Sequence, residues 1–165
     1  IRPAECDETL PDGIGAKEAV EYLSKIKNNA AKAISADDEL IISADTVVAV
    51  SNEILGKPAD KEDARRMINL LSGKTHQVYT GVTLSLKGKS ITFSEKTDVT
   101  FFPLSDEEIE EYISSKEPYD KAGAYGIQGK ASLLVEGING DYFNVVGFPV
   151  ARVKRELLKF IHNTN

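Results

Sequence analysis

Residues 40–50, LIISADTVVAV, constrain the fold more than any other stretch of the chain. Leu40, Ile41 and Ile42, and then Val47, Val48 and Val50, flank the polar pair Asp45-Thr46. Apolar, β-branched runs of this length read as buried strands. A carboxylate inside such a run is costly to bury unpaired, so it belongs at a strand end or facing a cleft, a metal or a cation. Lys57, on the turn Gly56-Lys57-Pro58, is a candidate cation for the same cleft. An Asx-turn at Asp45 with a solvated Lys57 accounts for the same residues. The pattern by itself leaves both readings open.

The chain of 165 residues is long enough for one domain with its own core. A net charge of −6 argues against a protein that coats nucleic-acid phosphates. It does not argue against a small anionic substrate, because a divalent metal and a few lysines reverse the local field. Cys6 is the sole cysteine, which excludes an internal disulfide and a thiolate metal site and fits a reducing, cytoplasmic setting. No apolar stretch approaches the roughly 20 residues a bilayer span needs, so no membrane partner is expected. The chain opens on Ile1-Arg2-Pro3 without an initiator Met, and the protein is expected to begin earlier.

Residues 1–15 read as loop, with Asp7-Glu8 as solvated charge. Residues 16–34 read as a helix, with Ala16, Val20, Leu23, Ala30 and Ile34 on its inward face. Lys27 lies roughly 40° from Leu23 on the helical wheel, on that same face. It either snorkels outward or reaches into a cleft to meet an anion. Residues 60–72 read as a helix capped by Asp60 and stopped by Gly73, with Ala64, Met67, Ile68 and Leu71 inward. Two alternating runs, 76–86 and 91–101, joined at Lys87-Gly88-Lys89, predict an antiparallel hairpin. His76, in the first of them, reads as a hydrogen-bonded structural residue. Ser105 with Glu108 announces a further helix by a capping box.

Residues 117–129, EPYDKAGAYGIQG, are glycine-rich and carry Asp120, Lys121 and Gln128, yet match no phosphate-loop template. Residues 131–138 read as a strand, Asn139-Gly140 as a hairpin turn, and 142–146 as the returning strand. Pro149 starts the last helix, with Val150, Val153, Leu157 and Ile161 inward. About four helices and six strands in mixed order predict an α/β (mixed α+β) domain, a curved mixed sheet flanked by helices.

Several blocks together resemble the Maf family of nucleoside triphosphate pyrophosphatases. They are Ala44-Asp45-Thr46-Val47-Val48 with Ile54-Leu55-Gly56-Lys57-Pro58; Leu71-Ser72-Gly73 with His76 and Thr80-Gly81-Val82; Glu117-Pro118 with the run from Asp120 to Gly129; and Asn144-Val145-Val146-Gly147-Phe148-Pro149. The Ala-Asp-Thr and Gly-Ile-Gln-Gly versions look like the branch acting on dTTP and UTP. The resemblance implies a fold related to inosine triphosphate pyrophosphatases, two lobes with a central cleft, and often a homodimer. It implies hydrolysis of the α–β phosphoanhydride to a monophosphate and pyrophosphate. By matching positions, Asp45 would be the proton acceptor, Lys57 a phosphate contact, and Thr46 and Gln128 specificity residues. Glu8 and Lys27 match the acidic and lysine positions upstream. The family opens with a strand and a Ser-x-Ser-Pro-Arg-Arg loop, which would precede Ile1 in a single Maf-like domain.

Hydrolysis of this kind needs activated water, neutralised phosphate charge and a leaving group held in line. Glu8 and Asp45 could share Mg²⁺ or Mn²⁺, hard cations that take oxygen ligands. Lys27 and Lys57 would then clamp phosphate, and Gln128 offers a donor and an acceptor to the O4 and N3–H edge of a pyrimidine. The alternative is a nucleotide-binding regulatory protein linked to cell division, with little hydrolysis.

Overall fold

Local signals set most of the elements. The computed structural model describes residues 5–164. Helix α1 spans Ala16–Lys32 and is followed by strands β1 (Ile41–Val50) and β2 (Glu53–Leu55). Helix α2 (Lys61–Leu71) follows, then the hairpin of β3 (Thr75–Leu86) and β4 (Lys89–Phe101), then α3 (Asp106–Ile113). Three 3-10 turns at Glu117–Asp120, Ala122–Ala124 and Lys130–Leu133 lead to β5 (Val135–Asn139), α4 (Tyr142–Val146) and α5 (Val150–His162). Asp60 caps α2 by accepting from the Asp63 amide, and Ser105 and Glu108 close a reciprocal capping box on α3. Helix α2 buries the residues the sequence assigns to its inward face, and α3 buries Ile109, Tyr112 and Ile113.

The sheet order is β2-β1-β3-β4-β5, and every pairing is antiparallel. The expected α/β class holds, but the sheet is not mixed. Two of its connections, β1–β2 and β3–β4, are tight turns, which join only antiparallel strands. Both turns use left-handed backbone, at Ser51 and Asn52 (φ 50° and 67°) and at Lys87 and Gly88 (φ 49° and 75°).

One face of the sheet carries α1, where Val20 and Leu23 pack with Val47. The other face carries two separate cores. At one end Val48, Val78, Val99 and Phe101 meet α2 and α3. At the other end Val82 and Leu84 meet Val153 and Phe160 of α5. Val78, Val82 and Leu84 belong to the same face of one strand. A single long strand therefore supports two lobes, with space between them.

The sequence reading needs four corrections. The strand expected over 131–138 starts only at Val135, because Lys130–Leu133 makes a 3-10 turn, and five strands rather than six form among the described residues because 142–146 is not a strand. Residues 142–146 are a short helix rather than a returning strand. Asp141 caps it by accepting from the Phe143 amide, and Gly147 ends it at φ 110°. Tertiary bonds from the buried Asn144 hold that helix on the sheet. Third, Leu40 and Ile42 are exposed, and burial in β1 is complete only from Val47 onward. Fourth, Val150 and Ile34 are exposed, and the buried stripes run instead through Phe160 in α5 and through Ser24 and Asn28 in α1.

Candidate active site

Strand alternation divides the predicted site residues between two faces. Asp45 and Thr46 are neighbours in β1, so their side chains point to opposite sides. Asp45 pairs in register with Gly81 and faces α1, whereas Thr46 pairs with Thr80 and faces the gap between the lobes.

On the α1 side, the helix lies directly on the sheet. A Cβ at Gly81 would overlap the Val20 carbonyl, so glycine is what permits this approach. A buried polar seam fixes the helix in register. Ser24 Oγ is 2.9 Å from Thr83 Oγ1, Asn28 Nδ2 donates to the Thr83 carbonyl at 3.2 Å, and Ser43 Oγ donates to the Ser24 carbonyl at 2.7 Å. The seam places Lys27, next in sequence to Asn28, against Asp45. Its ammonium donates to Asp45 Oδ1 and pairs with Glu8 Oε1 at 3.3 Å. Glu8, Lys27 and Asp45 thus come together, although Glu8 is an otherwise exposed loop residue.

The Asp45 side chain is only 12% exposed. Burial holds its carboxyl above the ordinary carboxylate range, and the Lys27 ammonium offsets only part of that. Glu8 adds to the rise, and the Lys57 charge relieves it. Burial alone would lower the Lys27 ammonium, but Asp45 and Glu8 outweigh burial and hold it charged.

On the opposite face lies a cavity of about 590 Å³, walled by Thr46, Lys57, Lys121, Tyr125 and Gln128 among others. Its size falls in the range of small-ligand clefts. Lys57 is brought there by a bond from the Gly123 amide to the Gly56 carbonyl at 3.0 Å. Gly123 has φ 69° and leaves no room for a Cβ against Val48. Thr46 Oγ1 is 2.8 Å from Thr80 Oγ1, which donates to the Asn144 carbonyl at 3.0 Å. The cleft floor is therefore tied to α4.

The cleft lining includes Lys57, Thr46 and Gln128 but not Glu8, Lys27 or Asp45. The two groups adjoin across β1. Among the described residues that strand is unpaired on its β2 edge before Val48, and Asp45 senses the Lys57 charge. Lys121 is a cleft cation that the sequence reading did not assign, and it pairs with Asp120 at 2.9 Å. Glu117 also lies in the wall. His76 is structural, as expected: fully buried, with Nε2 2.7 Å from the Tyr125 hydroxyl.

Among the described residues no three or more His, Cys, Asp or Glu side chains gather as a metal cluster. The donors present, Glu8 and Asp45, are hard oxygens converging on one ammonium. Two carboxylates are the usual protein share of a Mg²⁺ site, the rest coming from substrate phosphates and water. The donor set fits a hard dication.

Together these features define an α/β scaffold with a small-ligand-sized cleft that carries two lysines, and a buried acid on the other face of the same strand. The family described as Maf-like protein matches residues 1–160, and the chain belongs to that family. A Bacillus cereus protein described as dTTP/UTP pyrophosphatase is 48% identical over 157 residues, covering 95% of this chain and 82% of the relative. A Bacillus anthracis protein of the same description is 48% identical over the same shares. No helix among the described residues is long and apolar enough to cross a membrane.

Proposed function

We propose that this chain hydrolyses dTTP and UTP between the α- and β-phosphates, releasing the nucleoside monophosphate and pyrophosphate. The observation that carries the reading is the buried Asp45, held by Lys27, which pairs in turn with Glu8, across β1 from a cleft that presents Lys57, Thr46 and Gln128. The printed activity of relatives at 48% identity supports the same reading.

In the proposed reaction, water attacks the α-phosphorus and the α–β bridging oxygen departs with pyrophosphate. Asp45 accepts the proton lost by water. A carboxyl whose affinity for protons is raised by burial is a better acceptor than an ordinary aspartate. Lys27, paired in turn with Glu8, orients Asp45. Lys57, with Lys121 beside it, meets the triphosphate charge. Gln128 reads the pyrimidine edge, and Thr46 sets the depth of the pocket. Glu8 and Asp45 would hold the dication, Mg²⁺ or Mn²⁺, which when bound neutralises charge on the phosphate oxygens. A cytoplasmic location, a homodimeric state and a small-anion rather than nucleic-acid partner belong to the same proposal, the last supported by the net charge of −6.

A pyrophosphate-release assay over dTTP, UTP, dCTP, dATP and dGTP, with Mg²⁺ or Mn²⁺, tests the reading. Release from dTTP and UTP is expected to exceed release from the purines. Asp45→Asn is expected to lower kcat by about 10²–10⁴, the usual contribution of a general base, without loss of the folded state. Binding without release by the unmodified protein, or an Asn variant at full rate, overturns it.

A further inference from the structure

Glu117 is an acid in the wall of a cleft that carries Lys57 and Lys121. A free carboxylate there would repel a triphosphate. Its oxygens are instead turned onto the protein. Oε2 accepts from the Lys130 amide at 2.8 Å, and Oε1 accepts from the Ala131 amide at 3.1 Å and from the Tyr112 hydroxyl at 3.3 Å. Bonds from neutral N–H donors to an ionised acceptor are among the stronger ones a protein makes.

The intervening chain is shaped to receive that carboxylate. A Cβ at Gly129 would overlap both Glu117 oxygens, so the absent side chain is the space the carboxylate occupies. The Gly129 amide also donates to the Gly126 carbonyl at 3.1 Å, closing a turn over residues 126–129. Gln128 sits in this turn. It is exposed, and its side chain makes no hydrogen bond among the described residues. Among the described residues no side-chain hydrogen bond therefore fixes Gln128 before substrate arrives. Its position is set by its backbone, and that backbone is clipped on its far side by Glu117. Two glycines in the segment would otherwise leave it loose. Tyr112, buried on α3, stays a donor because burial and the Glu117 charge push its hydroxyl upward.

We propose that Glu117 is a positioning residue for base selection: its carboxylate clips residues 126–131 so that Gln128 presents its amide to the pyrimidine at one depth and angle. This rests on the dTTP and UTP reading of the cleft. Preorganising a polar group converts its hydrogen bonds into discrimination, because the ordering cost is met before binding. A mere helix-end cap would give stability and leave substrate choice alone.

Glu117→Gln keeps the shape but replaces one acceptor oxygen with a donor facing a backbone N–H. Two measurements on the full-length protein separate the possibilities: amide hydrogen exchange over residues 126–131, and kcat and KM for dTTP and dATP. Exchange in that segment is expected to accelerate while the rest of the sheet is unchanged. The dTTP-to-dATP ratio of kcat/KM is expected to fall by about tenfold, chiefly through KM for dTTP, consistent with one or two lost hydrogen bonds. Should the Gln variant fold poorly, Gly129→Ala attacks the clip from the other side. Its φ is not in the left-handed region, and the three atoms nearest to an added Cβ all belong to the Glu117 carboxylate. Unchanged exchange in a folded variant overturns the clip, and faster exchange with an unchanged ratio overturns its role in selection. If the unmodified protein releases no pyrophosphate from any nucleotide, the reading of the cleft and the selection role both fall, while the exchange data still decide the clip.

Discussion

Burial disfavours a second proton on His76. It is fully buried on β3, edge-on to the rings of Phe101 and Tyr125 with centroids 5.1 Å and 5.4 Å away. Burial pushes its imidazole down to about 4, from an ordinary value near 6.5. In the unfolded chain the same ring takes a proton below about 6.5. The unfolded state therefore binds more protons between the two values. The neutral ring's contribution is fully present above the unfolded value and is lost as pH falls toward 4, at about 1.4 kcal/mol per pH unit. The whole window is worth roughly 3 kcal/mol. Urea melts at pH 7, 6 and 5 and constant ionic strength check this. The expected outcome is that His76→Gln, though less stable throughout, has a visibly flatter dependence than the unmodified chain. Parallel slopes would show that the ring stays accessible to protons. The contrast with Asp45 is instructive: both are buried ionisable groups, but Asp45 has a charged partner at a cleft edge and His76 has only a neutral hydroxyl within its core.

At the scale of elements, how legible each was depended on how local its cause was. Helices α2 and α3 were readable because Asp60, Ser105 and Glu108 state their starts within one turn. The β3–β4 hairpin was readable because a period of two leads into Lys87-Gly88. Helix α4 was not: Tyr142, Phe143, Val145 and Val146 favour strand, and Asn139-Gly140 mimics a hairpin turn. What decides it is Asn144, whose Nδ2 donates to the Val78 carbonyl and Thr97 Oγ1, each at 3.0 Å, over long sequence separations. The site divides the same way. Asp45 and Lys27 were visible as charges in apolar places. Glu8 was singled out only by family resemblance, because an exposed loop acid carries no pattern. Thr80 and Glu117 act through partners that the chain brings close only on folding, and Lys121 joins the cleft wall only once the chain has folded. Asn144→Ala leaves the Val78 carbonyl and Thr97 without that donor, in buried surroundings. The expected loss is about 1–3 kcal/mol, measured by denaturant melts. Since Thr80 also bonds the Asn144 backbone, the loosened α4 is expected to raise KM before it lowers kcat. A variant within about 0.5 kcal/mol of the parent, the range of an ordinary surface change, would mean that α4 is held by its apolar contacts instead.

Across the whole molecule, no single element contains the site. Lys27 comes from α1, Asp45 and Thr46 from β1, Lys57 from the segment between β2 and α2, and Gln128 from the stretch between α3 and β5. These pieces sit on both faces of the sheet, and the two cores on its outer face are separate clusters. A triphosphate reaching both Lys57 and Gln128 would tie together two segments that are distant in sequence. Binding to the folded state alone stabilises by about 2.7 kcal/mol at a hundred times Kd. For a chain of this size that is a rise in Tm of roughly 5–10 °C. The measurement is a thermal melt with Mg²⁺ and a dTTP analogue whose α–β bridge is a methylene, which cannot be cleaved there. The expected order of shifts is the dTTP analogue, then the matching dATP analogue, then pyrophosphate alone. Lys57→Met is expected to reduce all three shifts, because it removes charge from the shared phosphate end. Gln128→Ala is expected to reduce only the first, because the proposed role of Gln128 is to meet the base. If Lys57→Met leaves every shift intact, the triphosphate does not lie in this cleft, and the acid at Asp45 has no substrate beside it.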